Sequence, residues 1–427
     1  MLDIKFVREN VEALKENLVK RGMPEKTQDV NRLVTLDAKW RELLVEAERL
    51  RKSRNEITVA IAQARKNGHD ALTLMKQAEA IRQNIKEVEV QVDDYKKQSE
   101  NILLNIPNMV HESVPFGKDE NDNQEVKKWR EPTKFNFKPD DHIDLGLKHG
   151  LIDIEKAGRV AGARFYYLRE DLVRLNYSLI QYGLDFMLKK GFQLYQTPYF
   201  LRREIVAGAV ALSDFEDTIY KIEGEDLYLL ATSEHALLGL HNDDIIEMDD
   251  LPLRYAGISP CFRKEAGAHG RDTKGIFRVH QFEKVEQFIF SLPDESWKHH
   301  EELLRNVEEF WQSLGIPYRI VNVCTGDLGT VAAKKYDLEA WLPGQGKYRE
   351  MASCSNCTAY QAVRSKVRYR EKATSPTKHV HTLNSTLVAT ERALVSILEN
   401  KQRADGTVEI PGILQHYMGG QKSIPRQ

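Results

Sequence analysis

The chain has 427 residues, 41% of them hydrophobic and 30% charged, enough for two or three soluble globular domains. No run approaches the roughly 18 uninterrupted apolar residues of a membrane helix, and charges throughout the first twenty residues argue against a signal peptide or anchor. Lys and Arg total 62 against 64 Asp and Glu, and there are four cysteines; nucleic-acid binding therefore needs local charge asymmetry, and a disulfide framework gives way to a reducing cytoplasm.

The clearest periodicity runs over residues 33–106. Leu33, Leu36, Trp40, Leu43, Ala47, Leu50, Ile57, Ile61 and Ala64 alternate at three and four residues. After the polar break at Lys66–Asp70 the pattern resumes at Leu74, Ala78, Ile81, Ile85, Val88, Val92, Tyr95, Ile102 and Ile106. This predicts an antiparallel coiled-coil hairpin. About 32 residues at ~1.5 Å each make an arm of roughly 50 Å, which must project because a narrow seam buries only against its partner. From Lys39 to Lys66 there are eight basic and four acidic residues, against five and six from Leu74 to Ile106. The first helix thus carries a bias toward phosphates, although a solvated coiled-coil face accounts for the charge equally well.

Ile106-Pro107-Asn108 ends the arm, and the Asp/Asn-rich stretch that follows reads as a linker over 111–135. From about residue 136 the texture is mixed α/β. Strands are expected at Leu227–Ala231, Phe288–Phe290 and Tyr318–Val323, and helices at Leu172–Lys189, Ser296–Leu314 and Thr386–Lys401.

The most informative stretch is SPCFRKEAGAHGRDTKGIFRVHQFEKVEQFIF, Ser259 to Phe290. It reads as a strand holding Cys261–Glu265, a loop with Gly267, Gly270 and Gly275, and a second strand from Phe277. On a strand, Arg263 and Glu265 would share a face, a guanidinium for phosphate beside a carboxylate for a polar neighbour.

With its glycine loop and Arg278-Val-His-Gln-Phe282, this stretch resembles the class II aminoacyl-tRNA synthetases, and the seryl-tRNA synthetase family in particular. Thr232-Ser233-Glu234, Tyr348-Arg-Glu350-Met351-Ala352-Ser353-Cys-Ser-Asn, the segment Leu383–Arg392, Gly191–Pro198 and Leu50-Arg-Lys-Ser-Arg-Asn-Glu56 match that family's other signatures. The resemblance spans essentially the whole chain and looks closest to the archaeal, zinc-free type. It departs at Ala352, where relatives often have serine, and at Val363 in Tyr360-Gln-Ala-Val-Arg364.

The resemblance implies a fold and a chemistry. The fold is α+β: an N-terminal tRNA-binding domain (1–110) with the helical hairpin, the linker (111–135), and a catalytic domain (136–427) whose antiparallel sheet is flanked by helices. A dimer would form through the region near Pro198. Serine would be activated by ATP with Mg²⁺ and esterified to tRNA(Ser), with tRNA(Sec) as a second acceptor that the resemblance allows. Arg263 would hold the α-phosphate and Arg392 the γ-phosphate. Glu265 and the backbone of Val279, His280, Gln281 and Phe282 would read adenine, with Phe282 stacked on the base and Lys264 elsewhere in the ATP site. Glu350, Met351, Ala352 and Ser353 would complete the nucleotide site, with Glu350 as metal ligand. Thr232, Ser233 and Glu234 would receive the serine ammonium, and Glu286 with Asn384 or Thr386 the hydroxyl. Arg49, Arg51 and Lys52 on the arm would meet the long variable arm of the tRNA, and Arg271 and Lys274 its acceptor end.

Blander readings apply to some of these residues. Cys354-x-x-Cys357 is one pair where structural zinc sites usually show two. His235, His269, His280 and His381 are expected to be structural, since the reaction needs no base near neutrality. A relative that charges a carrier protein, or a coiled-coil scaffold, would leave the arm or the catalytic stretches unexplained.

Overall fold

The computed structural model describes residues 1–210, 218–265 and 275–425. Contacts divide the chain into Leu2–Ile106 and, with Met1, Pro107–Gln427.

In the first unit two short helices, Ile4–Glu9 and Val11–Lys20, precede the hairpin of α1 (Thr27–Lys66) and α2 (Leu72–Asn105). The seam is largely the expected one: Leu33, Leu36 and Ala47 of α1 and Ile85 of α2 are buried, while near the end of α2 Leu103, and not the expected Ile102, is the buried residue. Cross-helix contacts fix the antiparallel register. Arg51 meets Glu89 at 2.7 Å, the Lys39 ammonium lies 5.8 Å from the Tyr95 ring, and Arg32 reaches Gln98 at 3.3 Å. Asn67 and Gly68 end α1, and Gly68 takes a positive φ of 72° that a side chain would strain.

The second unit is built on an eight-stranded sheet. Its strands are β1 (Gln124–Trp129), β2 (Gln193–Gln196), β3 (Leu253–Phe262), β4 (Gln281–Ser291), β5 (Tyr318–Asn322), β6 (Lys334–Leu342), β7 (Lys347–Asn356) and β8 (His381–Ala389), in the order β1-β5-β6-β7-β8-β4-β3-β2. All neighbours are antiparallel except the edge pair β2–β3, which is parallel. The stretch expected as linker therefore supplies β1, an edge strand. The helices α3 (Asp171–Lys189) and α5 (Ser296–Leu314) pack on the sheet through Leu175, Leu179, Phe310 and Trp311, all fully buried.

Three local expectations are corrected. The second strand of the Ser259–Phe290 stretch starts at Gln281, not Phe277. Glu265 has a φ of 50°, so the chain turns off the sheet there, and Arg263 and Glu265 do not share a strand face. The segment Thr386–Ala389 finishes β8, and the helix begins only at Thr390. A fully buried strand and a buried helix read alike as apolar runs, so periodicity misplaces this boundary.

Candidate active site

One end of the candidate site is set by β4 and the helix α4 (Ser233–Gly239). Side chains alternate across β4: Lys284 and Glu286 face one way, while Gln287 faces α5, accepting from Asn306 Nδ2 at 2.9 Å. Thr232 caps α4, its Oγ1 accepting from the Glu234 amide at 3.3 Å, which starts the helix with Glu234 aimed at β4's polar face. The close packing depends on Gly257 of β3, where a Cβ would lie 2.7 Å from the Ser233 Cβ and 3.1 Å from Leu237. Gly257→Val should displace α4 and cost about 1–3 kcal/mol of stability; an unchanged unfolding midpoint would remove glycine's role here.

Thr232, Glu234, Lys284, Glu286, Asn384 and Thr386 line one end of a cavity of about 100 Å³. Lys284 Nζ lies 2.5 Å from Glu286 Oε2, and Thr386 Oγ1 donates to the same oxygen at 3.1 Å. Asn384 Nδ2 donates to Glu234 Oε1 at 3.2 Å.

The other end of the cavity holds Arg263, Phe282, Glu350, Ser353 and Arg392, with Met351, Ala352 and Ala389. A β-bulge decides this set. Asp337 pairs with Ser353 and Glu339 with Glu350, so Met351 is the extra residue on β7. Without it Glu350 and Ser353, three apart, would face opposite sides of the sheet; with it they face one cavity. A second bulge at Leu387 brings Ala389 to the side of Thr386. The Arg263 guanidinium lies 5.3 Å from the Phe282 ring, and its Nε donates to the Ala231 carbonyl at 3.3 Å. Arg392, on α7 (Thr390–Asn400), the helix that follows β8, donates from Nη1 to the Glu350 carbonyl at 2.9 Å. Its Nη1 is 3.6 Å from Glu350 Oε2, and its buried Nε has no hydrogen-bond partner among the described residues.

Desolvation would raise the Glu350 carboxyl, but Arg392, then Lys335 and Arg263, outweigh it and hold it below its ordinary value. Glu350 is thus an anion next to cations. Glu234 behaves differently. Burial, then the neighbouring Glu286, pushes its carboxyl up to about 7, against the pull of a Gln361 hydrogen bond and the charges of Lys284 and Arg263. Near neutrality a substantial share of this carboxyl carries a proton, which a cationic ligand would displace. If the ligand presents an ammonium to Glu234, the second-order rate constant for that ligand should fall about tenfold per pH unit below 7 and level off above it. Glu234→Gln should abolish this acid limb; a limb that persists in the variant would assign it to another group.

The remaining predicted residues that the structure describes do not line this cavity. Ser233 is fully buried and its Oγ donates to the Gly257 carbonyl at 3.3 Å. Glu265 pairs with Arg278 at 3.0 Å, and the Lys264 amide bonds the Thr218 carbonyl. Val279 is buried, and His280 Nδ1 contacts the Arg263 carbonyl at 2.7 Å. Gln281 lines a different cavity with Tyr166, Asn176 and Glu283. Arg271, Lys274 and His269 lie outside the described residues. On the arm Arg49 pairs with Glu46 at 2.7 Å, Arg51 with Glu89, and Lys52 is exposed. Burial pulls His235 to about 3 and His381 to about 4, so both are neutral. Cys354 and Cys357 are buried free thiols whose titration burial pushes up. Sequence reasoning missed Lys284; its signal was the spacing of two from Glu286, which puts both on one strand face.

A family model for the class II tRNA synthetase core domain of the G, H, P, S and T group matches residues 218–401, and one for the seryl-tRNA synthetase N-terminal domain matches residues 1–110. A serine–tRNA ligase of Nitrosopumilus maritimus is 50% identical over 424 residues, 99% of this chain and 100% of that protein. The crystal structure of seryl-tRNA synthetase from Pyrococcus horikoshii complexed with ATP superposes with a TM-score of 0.95 at 49% identity, covering 100% of both chains. The cytoplasmic serine–tRNA ligase of Naegleria fowleri, solved with AMP, gives a TM-score of 0.89 at 38% identity over 100% of this chain and 99% of that one.

Proposed function

The chain belongs to the seryl-tRNA synthetase family, so it activates serine with ATP and esterifies it to tRNA, and on that premise we propose how its residues divide the work. The observation that carries the division is the shared cavity: paired carboxylates at one end, Arg263, Glu350 and Arg392 at the other.

Serine enters as a zwitterion. Its ammonium meets Glu234 with the Thr232 hydroxyl, and its hydroxyl bonds Glu286, with Asn384 or Thr386 beside it. Lys284 pairs with Glu286 and holds its carboxylate beside the substrate hydroxyl. Losing the substrate hydroxyl would strand these buried groups, which disfavours alanine. The serine carboxylate oxygen attacks the α-phosphorus of ATP; the new O–P bond forms as the bond to pyrophosphate breaks, and pyrophosphate carries away the electron pair. Arg263 neutralises charge on the α-phosphoryl oxygens, and Arg392 charge toward the γ-phosphate, so catalysis is chiefly electrostatic. Phe282 offers a ring face for adenine, with Arg263 against it. The tRNA terminal hydroxyl then attacks the activated carbonyl and releases AMP.

The donor set also fits Mg²⁺ arriving with ATP. The Glu350 carboxylate and Ser353 hydroxyl are oxygen ligands of the kind it takes, and no cluster of three or more His, Cys, Asp or Glu among the described residues would hold a metal unaided. When bound, the ion neutralises charge on the phosphate oxygens. The Arg392 Nε, without a hydrogen-bond partner among the described residues, supports an anionic ligand at that end.

The basic residues Arg49, Arg51 and Lys52 of α1 are assigned to the long variable arm of tRNA(Ser), and Arg271 and Lys274 to its acceptor end; tRNA(Sec) is a second acceptor on the same reading. The domain division at 110 and 135, a homodimer through the Gly191–Pro198 edge, and a cytoplasmic location complete the proposal. Among the described residues no helix is long and apolar enough to cross a membrane. Serine-dependent ATP–pyrophosphate exchange tests the first half-reaction; exchange driven by another amino acid and not by serine would refute the serine assignment.

A further inference from the structure

Glu234 is gripped by an amide whose orientation its surroundings fix. Gln361, on the short helix α6 (Tyr360–Ser365), is fully buried. Its Nε2 donates to Glu234 Oε1 at 2.6 Å and to the Ala209 carbonyl at 3.3 Å, while its Oε1 accepts from Thr382 Oγ1 at 2.7 Å. A carbonyl and an ionised carboxylate only accept, so the amide nitrogen must face them, and the amide oxygen then takes the Thr382 hydroxyl. Thr382 is itself fully buried on β8, two residues before Asn384.

We propose that Gln361, oriented by Thr382, is a positioning residue for serine activation, holding the Glu234 carboxyl in place and aimed at the serine ammonium. This rests on the reading that Glu234 receives that ammonium. The chemistry explains why the donor is uncharged. Around Glu234 stand Glu286 and Lys284 from β4, Arg263 beyond β3, Cys357 beyond β7 and His235 on α4 itself. Another cation at position 361 would pair with Glu234 and compete with the substrate. Two amides, Gln361 and Asn384, instead stabilise the anion without cancelling its charge. Both donate to Oε1, which leaves Oε2 as acceptor for the incoming cation.

The test is steady-state pyrophosphate exchange between pH 6 and 8.5 on the full chain. Gln361→Met keeps length and burial but loses the donor. It should raise the serine KM about tenfold at pH 7, leave the ATP KM within about twofold, and move the acid limb of serine kcat/KM to higher pH, so that pH 8.5 recovers much of the loss. Thr382→Val should shift the same quantities in the same direction by less, and Thr382→Ser, which keeps the hydroxyl, should behave as the parent. If Gln361→Met does not fold, the Thr382 pair decides alone. Serine and ATP KM rising together with an unmoved limb would reduce Gln361 to packing and overturn the inference. Glu234→Gln separates the two levels: no effect on serine KM sinks the site reading itself. A large effect there, with none in Gln361→Met or Thr382→Val, sinks only the positioning role.

Discussion

Arg392→Ala is expected to lower serine-dependent pyrophosphate exchange about a thousandfold, equivalent to about 4 kcal/mol of transition-state stabilisation. The reason is the mismatch at this residue. Its buried Nε has no hydrogen-bond partner among the described residues, and its nearest carboxyls are Glu350 at 3.6 Å, held as an anion, and Glu391 at 3.9 Å, which burial pushes up to about 8. Those distances satisfy its charge but leave hydrogen-bonding capacity unspent, the condition of a group waiting for phosphate. The loss should appear in kcat, because charge toward the leaving pyrophosphate grows on the way to the transition state. Arg263→Ala should cost a similar factor and also weaken ATP binding, since its guanidinium lies against Phe282. Lysine at either position keeps the charge and loses the planar fork, so it should fall between alanine and the parent. Exchange within about tenfold of normal in either alanine variant would show that phosphate is held elsewhere. Loss of folding is a separate matter, read from the unfolding midpoint.

Removing the distal part of the hairpin, with a short turn joining α1 to α2, should leave serine activation within about threefold while tRNA charging falls below detection. Every described residue lining the reaction cavity lies between Thr232 and Arg392, and none of them is on the arm. Its seam is buried by its own partner helix, so shortening both helices equally preserves the remaining register. Neutralising Arg49, Arg51 and Lys52 together should weaken tRNA binding and lower its salt dependence by about one counterion for each phosphate no longer neutralised. Two of the three are already paired, Arg49 with Glu46 and Arg51 with Glu89. Phosphate would have to displace those carboxylates, so Lys52→Ala alone should account for a disproportionate share. A truncated enzyme that charges tRNA at the normal rate would make the arm a scaffold.

Much of the hairpin and part of the site were legible because their signals are local. A heptad needs only the helix period to be read, and the seam residues Leu33, Leu36, Ala47 and Ile85 follow from it directly. Arg263, Glu350, Arg392, Thr232 and Glu234 came from resemblance, since bare residue types at those spacings are common. Where the sequence misled, the cause was local geometry that no period encodes. Glu265 left the strand through a left-handed φ, and the apolar run Leu387–Ala389 joined β8 and not the helix.

The sequence by itself determined the antiparallel arm and its uneven charge. Only the tertiary structure decided that Glu350 and Ser353 share a cavity, because a single extra residue at Met351 reverses which face Glu350 occupies. Likewise only folding brings Gln361, Thr382 and Lys284 around Glu234 and Glu286, from segments up to 148 positions apart in the case of Thr382 and Glu234 (382 − 234). The physical reason is the same in both cases. Side-chain direction on a strand follows from register and bulges, and the ionisation of a buried carboxylate from every charge packed against it. Both are properties of neighbours in space.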